Sequence, residues 1–295
     1  MNIKKFFKIL LLLLLAVLAA FGGVVTAWFT ASPFASGDHG NALAPIGKDG
    51  IVNCLVVGRD HVGENTDVIM VLSVNKKAGK TSILSVPRDT RVYVGGANRK
   101  INSVYSYAGA RGMKKEETLI SAVSQITELP IHYFAIINLR AFREIVDELG
   151  GVEFHVQRAY HYDDPYQDLH IHLEPGLQVL DGESAEGLIR YRHDYAMGDI
   201  DRVGVQQAFI QAMISQKLKL RYISKVSAIY NAVTDDVVSN LKVNDIMEYA
   251  KAALECEIKT HLLPGSTSAN SPYWIKNDDE TAALIAQEFG YTAEN

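Results

Sequence analysis

Cysteine is scarce: the 295 residues contain two, Cys54 and Cys256. Small secreted scaffolds held by disulfides carry more, so no disulfide framework supports this fold. Cys54 lies in the apolar run Ile51-Val52-Asn53-Cys54-Leu55-Val56-Val57 and Cys256 opens another apolar stretch. Both read as buried core residues, and spacing alone leaves a bridge between them open. A basic surface is also missing. From residue 48 onward 26 Lys and Arg face 33 Asp and Glu, a net of −7. That balance argues against a nucleic-acid partner, so any anionic ligand needs arginines gathered locally. No Gly-x-Ser-x-Gly elbow, His-Glu-x-x-His or P-loop occurs, which leaves hydrolase and NTP-driven readings without a motif. Internal repeats and low-complexity segments are absent too.

One long apolar run is present. Ile9 to Trp28 is 20 residues without a charge, preceded by Lys4, Lys5 and Lys8. An α-helix of that length spans a hydrocarbon core of roughly 30 Å. Positive residues stay on the cytoplasmic side. The expected order is a cytoplasmic N-terminus at 1–8, a transmembrane anchor at 9–30, a linker at 31–50, and the remaining 245 residues outside the membrane. A cleaved signal peptide is the rival reading, but its apolar stretch would run roughly 7–15 residues.

Three β-branched runs, Ile51–Val57, Val68–Val74 and Thr81–Val86, have strand length, and the last two are joined by a segment of hairpin composition. Helical spacing predicts a helix over Met113–Glu128, ended by Pro130. Further strands are expected at Ile131–Asn138, Val152–Val156 and Glu257–Leu263. Further helices are expected at Leu139–Leu149, Glu183–Leu188, Val203–Leu218, Asn244–Leu254 and Thr281–Phe289. Residues 157–180, polar and aromatic with Pro165 and Pro175, read as a long loop. The class is α/β, with a mixed sheet and helices on its faces rather than a purely parallel one.

Charged residues gather at the ends of these elements. Asp60 follows the first strand and Asp67 opens the second, so the pair can converge on a divalent cation such as Mg²⁺. The bland alternative is two turn residues bonding their own backbone. Pro87-Arg88-Asp89-Thr90-Arg91 follows the third strand, and Arg99-Lys100-Ile101-Asn102 follows a Gly-Gly turn. Arg190 and Arg192 alternate in Arg190-Tyr191-Arg192-His193, and in an extended segment they would share a face. Guanidinium groups grip phosphate oxygens in bidentate fashion. Gly198-Asp199-Ile200-Asp201-Arg202 leads into a helix bearing Gln206 and Gln207, and a helix N-terminus favours anions. Each cluster alone is a solvated surface by default. Together, in an acidic domain, they point to metal-assisted handling of a phosphate or pyrophosphate. His170 and His172 would share a strand face near His161, Asp163 and Asp164, but a zinc site lacks a third ligand at convincing spacing.

These motifs resemble the LytR-CpsA-Psr family of cell-wall glycopolymer transferases. The likeness runs from about Val52 to Lys219, through Val57-Gly58-Arg59-Asp60, Thr66-Asp67, Leu84-Ser85-Val86-Pro87-Arg88-Asp89-Thr90 and Lys100-Ile101-Asn102. It continues through Leu149-Gly150-Gly151-Val152, Leu180-Asp181-Gly182-Glu183, Arg190-Tyr191-Arg192-His193 and Gly198-Asp199 with Arg202 and Gln206-Gln207.

The resemblance implies a three-layer α/β/α domain over 51–220, with 221–295 completing the fold or forming a small appendage. It implies a long apolar pocket for a polyprenyl tail. The implied activity is phosphotransfer of a glycopolymer, such as teichoic acid or capsule, from an undecaprenyl-pyrophosphate carrier to peptidoglycan. Asp60 and Asp67 would bind Mg²⁺ or Mn²⁺. Arg88, Arg190, Arg192 and Arg202 would grip the pyrophosphate, with Lys100 and Gln206 in support. Asp89 would orient an arginine, with a role as base the weaker alternative. Two positions depart from the family pattern: Asn65 and Val205 stand where basic residues are common. A non-catalytic polyprenyl-phosphate binder in wall assembly and a polyprenyl-pyrophosphate hydrolase are the alternatives. Nothing in the sequence names a protein partner.

Overall fold

The computed structural model describes residues 42–47, 50–60, 64–165, 169–191, 199–217, 233–241, 248, 249, 252, 256–268 and 271–291. The expected anchor at 9–30 lies outside them, as does most of the helix expected at Asn244–Leu254. Among the described residues no helix is long and apolar enough to cross a membrane. In chain order the elements are β1 (Ile51–Arg59), β2 (Thr66–Asn75), β3 (Lys80–Ser85), β4 (Arg91–Val94), β5 (Ala97–Lys100), α1 (Val104–Ala110), α2 (Lys115–Thr127) and β6 (Tyr133–Asn138). They continue as α3 (Leu139–Glu148), β7 (Val152–Val156), β8 (Tyr160–Asp164), β9 (Leu169–Leu173), β10 (Gly176–Leu180), α4 (Gly182–Arg190) and α5 (Asp199–Lys217). Last come β11 (Val237–Ser239), β12 (Glu257–Leu262), β13 (Gly265–Ser268), β14 (Ser271–Lys276) and α6 (Asp278–Leu284), the last running into a π-turn at Ile285–Phe289.

The chain divides into two compact units. One holds the described residues through Asn138, Val237–Leu241, and those from Cys256 onward. Its centre is a six-stranded mixed sheet in the order β11-β6-β1-β2-β3-β12. β1, β2 and β3 pair antiparallel, while β6 runs parallel to β1 and β12 parallel to β3. The carboxyl ends of β1, β3, β6 and β12 therefore lie on one edge.

Leu55, Val57, Ile69, Val71, Leu84 and Phe134 on one sheet face pack with Leu119, Val123 and Ile126 of α2 and with Ile285 and Phe289. Each such side chain contributes about 1.5–3 kcal/mol on burial. Cys54, Val56, Met70 and Leu72 on the other face are buried as well. Burial of both faces is why these strands read as continuous apolar runs. Neither cysteine forms a disulfide, both are buried, and burial pushes the Cys54 thiol pKa up.

A polar row crosses the far end of the same sheet. Asn53 pairs with Ser73 and Ser73 with Ser82, and all three are buried. The Asn53 amide donates to Pro130 O at 2.8 Å and Tyr291 Oη at 3.2 Å, and Ser82 Oγ donates to Glu288 O at 2.7 Å. Leaving such a group without a partner costs about 1–3 kcal/mol.

The second unit contains Leu139–Asp236 among its segments. Here β10 pairs antiparallel with β7, and β9 with β8. Phe209 of α5 is fully buried, edge-on to Phe142 and Phe154. Two family motifs have structural explanations in this unit. Gly150 and Gly151 both have left-handed φ, and a Cβ on Gly151 would come 2.9 Å from Leu180 O. At Leu180-Asp181-Gly182-Glu183, Asp181 caps α4 through Ser184 N, and Gly182 N donates to Asp147 Oδ1 at 2.7 Å. A Cβ on Gly182 would meet Arg143 O at 2.4 Å, so this helix start accepts only glycine.

The loop expected at 157–180 is instead the β8–β9 hairpin followed by β10. Leu169, Ile171 and Leu173 point inward and His170 and His172 outward, the alternation of a half-buried strand. Pro165 and Pro175 stand just outside strand ends, where proline interrupts no ladder. α1 is a further element that the sequence reading lacked.

Candidate functional site

Charged side chains collect along the carboxyl edge of the main sheet. Asp60 follows β1 directly, and its N–H donates to Asn65 O at 2.9 Å, closing the turn into β2. The ladder shifts between Gly58 and Arg59, and Asp67 stands opposite that irregularity. Both carboxylates thus sit at the same edge of neighbouring strands. β3 is the next strand over, so the chain leaving it passes beside Asp67.

That segment is held by its backbone. Thr90 N and Thr90 Oγ1 both donate to Pro87 O, at 2.9 and 2.6 Å. Asn102 N donates to Arg88 O, Ile101 N to Thr90 O, and Trp274 N to Asp89 O. Thr66 Oγ1 donates to Asn102 O at 3.3 Å, tying the β5 exit to β2. A rigid frame of this kind fixes where the charges point.

On the frame, carboxylates and cations alternate. Arg88 Nη1 donates to Asp67 Oδ1 at 3.0 Å, and its Nε lies 3.9 Å from Asp89 Oδ1. Asp89 Oδ2 is 3.0 Å from Lys100 Nζ. The Arg88 and Asp67 side chains are 18% and 21% exposed, so water screens the pair only partly. Asp89 lies between two cations, in contact with Lys100 and close to Arg88. The sequence-predicted Asp67, Arg88, Asp89 and Lys100 form one connected chain of charge. Asp60 stands at the same edge.

The sequence reading missed a second group here. Glu64 accepts from Lys115 Nζ at 2.7 and 2.6 Å and from Arg59 Nη1 at 2.9 Å. The Lys115 hydrogen bond, with the charges of Lys115 and Arg59, holds the Glu64 carboxyl below its ordinary pKa against the opposing effect of burial. Both cations lie over the Tyr105 ring, whose hydroxyl donates to Glu116 at 2.8 Å. Burial, then the Glu116 carboxylate, pushes the Tyr105 pKa up. Asn65 Oδ1 accepts from Ser106 Oγ at 3.5 Å.

In the second unit, Arg190 is the last residue of α4, not part of an extended strand, so alternation with Arg192 does not apply at that position. Its Nη1 meets Glu186 Oε1 at 2.9 Å, and the other Glu186 oxygen meets Arg143 Nε at 3.1 Å. The i,i+4 spacing of Glu186 and Arg190 was a signal that could have found this pair. Tyr191 is buried, edge-on to Tyr160 at 4.8 Å, so it anchors the chain between the two arginines. Gln206 is buried and donates to Ile189 O at 2.8 Å. Arg192 and the Arg202 side chain lie outside the described residues.

An all-oxygen pair such as Asp60 and Asp67 suits a hard cation of the Mg²⁺ type, which takes one or two carboxylates and leaves positions for phosphate. Its donor set therefore fits that ion. The neighbouring cations can answer the remaining anionic charge of a phosphate.

The LytR_cpsA_psr family matches residues 29–289 of the chain. The polyisoprenyl-teichoic acid–peptidoglycan teichoic acid transferase TagU of Bacillus subtilis (strain 168) is 28% identical over 258 residues, covering 84% of this chain and 80% of its own. Among solved structures, protein gbs0355 from Streptococcus agalactiae has the same fold, with a TM-score of 0.70 and 23% identity over 82% of this chain and 89% of that one. The crystal structure of B. subtilis TagU aligns with a TM-score of 0.57 and 25% identity, covering 80% and 94%.

Proposed function

The chain belongs to the LytR-CpsA-Psr family, and we propose that it is an enzyme transferring a glycopolymer of the teichoic acid type from a polyprenyl-pyrophosphate carrier to peptidoglycan. The observation that carries this reading is the half-buried chain Asp67–Arg88–Asp89–Lys100 at the carboxyl edge of the sheet. Ligands of open α/β sheets bind outside the carboxyl ends of the strands. The likeness to TagU supplies the substrate class.

Asp60 and Asp67 would hold Mg²⁺ or Mn²⁺, which would supply positive charge to offset that of the phosphate. Arg88, fixed by Asp67, presents its guanidinium to the pyrophosphate. Asp89 holds Lys100 and Arg88 in place, a positioning role. Phosphoryl transfer depends on alignment and charge stabilisation more than on a covalent protein intermediate, which suits this set. The phosphate contacts implied for Arg190, Arg192, Arg202 and Gln206 belong to the same proposal, each open to its own variant. We take the sheet to be the middle layer of an α/β/α sandwich. The apolar run at 9–30 would anchor the chain with its C-terminal part outside the cell, beside a donor that stays in the bilayer.

The test is processing of a polyprenyl-pyrophosphate-linked saccharide by the full chain with Mg²⁺ and peptidoglycan oligomers. Ligated product, lost with chelator, supports transfer. Release of saccharide without ligation would favour hydrolysis, and tight metal-independent lipid binding without turnover a regulatory binder.

A further inference from the structure

The β8–β9 hairpin carries a cluster that the proposed transfer does not use. His170 lies directly across from Asp163, and His172 across from His161. His170 Nδ1 is 2.6 Å from Asp163 Oδ1, and His172 Nε2 is 3.1 Å from the same oxygen. The three potential ligand atoms of Asp163, His170 and His172 lie within 4.8 Å of one another, the sole group of three so arranged among the described residues. His161 continues the face, its ring 5.8 Å from that of His172 and its Nε2 3.2 Å from Glu174 Oε1.

We propose that Asp163, His170 and His172 form a binding site for a divalent transition-metal ion, Zn²⁺ foremost. Two imidazole nitrogens lie within hydrogen-bond distance of one carboxylate oxygen, so the three ligand atoms are already gathered in one place. A four-coordinate Zn²⁺ with bonds of about 2.0–2.1 Å separates its ligand atoms by roughly 3.3 Å, within reach of small side-chain rotations here. Two imidazoles and a carboxylate are a borderline-soft set that suits zinc, copper or nickel over magnesium. The exposed face leaves the fourth position to water.

The scaffold is suited to hold such a site. His170 and His172 are two residues apart on one strand and so share its outer face. The inner face, Leu169, Ile171 and Leu173, is buried, and Ile171 lies against Gly187 of α4. The ligands thus stand on a strand pair whose register is fixed from beneath.

The experiment is calorimetric titration of the purified full chain with ZnCl₂ in excess Mg²⁺, which keeps the oxygen-only carboxylates occupied. The expected result is one equivalent bound. The Asp163→Asn/His170→Ala/His172→Ala variant should lose it, and single variants should weaken it by more than about a hundredfold, beyond the roughly 10–100-fold that outer partners alone produce. His155→Ala, an exposed histidine on β7, should leave it unchanged. Zn²⁺ should also raise the melting temperature of the native chain and not of the triple variant. All variants alter exposed side chains, so equal far-UV circular dichroism in chelator is the folding check. No saturable binding by native protein, binding that survives the triple variant, or an equal loss in His155→Ala would each overturn the site.

Discussion

Two clusters of charge in this chain differ in what lies beneath them. At the sheet edge, Asp67, Arg88 and Asp89 are largely sheltered, and main-chain bonds from Thr90, Asn102 and Trp274 hold the loop that carries two of them. On the β8–β9 hairpin, Asp163, His170 and His172 are exposed, brought together by strand register and by their mutual hydrogen bonds. Shelter decides the energetics. A charge-assisted bond screened poorly by water counts for about 1.5–3 kcal/mol, whereas an exposed pair contributes roughly 0–1 kcal/mol. Donor chemistry decides the ligand. Guanidinium with carboxylate suits phosphate, and imidazole suits a transition metal.

The sharpest way to break this contrast is Arg88→Ala. Removing a preorganised donor to a developing oxyanion costs on the order of 10²–10³ in turnover, and the Asp67 carboxylate left behind should lower stability by roughly 1–3 kcal/mol. Turnover on a polyprenyl-pyrophosphate saccharide, with a urea unfolding curve alongside, reads both. Arg88→Lys should rescue little, because an ammonium cannot donate in a fork. Native-like turnover in Arg88→Ala would remove this arginine from the chemistry.

A smaller effect is expected in acid. Glu64 has a lowered folded-state pKa, chiefly through Lys115, so its stabilisation is complete above its ordinary value of 4.5 and is lost as pH falls through the lower folded value. With Glu64 partly exposed, that contribution is roughly 0.5–1 kcal/mol. Lys115→Ala should flatten this part of the stability–pH curve, and unfolding midpoints from pH 6 down to about pH 3 would measure it. An unchanged acid limb would mean that the pair does not couple to folding.

The least effect belongs to the hairpin. Asp163→Asn in chelator should leave the urea unfolding midpoint essentially unchanged, as exposed substitutions usually do. A larger loss would erase the distinction between the two regions.

Legibility in the sequence followed the range of the interactions. β1, β2 and β3 announced themselves as β-branched runs, and their pairing as neighbours is what brings Arg88, just after β3, beside Asp67. The Glu64–Lys115 bond was invisible because 51 residues separate the partners. Asp163 was named near the two histidines, but the cross-strand pairing that sets it against His170 was hidden, because two prolines made that stretch read as a loop. α1 is only seven residues long, too short for a periodic signal. Glycine motifs were recognised as family marks, but their cause, contact with Arg143 and Leu180 carbonyls, needed the packing.

The polar row at the far end of the main sheet has a consequence for biogenesis. Ser82 waits for Glu288, Asn53 for Tyr291, and the open flank of β3 for β12. A ribosome emits these partners late: 206 residues separate Ser82 from Glu288, and 238 separate Asn53 from Tyr291. Until then the nascent chain holds an unfinished sheet with an unpaired flank, the kind of intermediate that aggregates or recruits chaperones. Closure of this sheet thus waits for β12 and the residues after it, and a ribosome stalled before β12 would leave a product unable to close its own sheet.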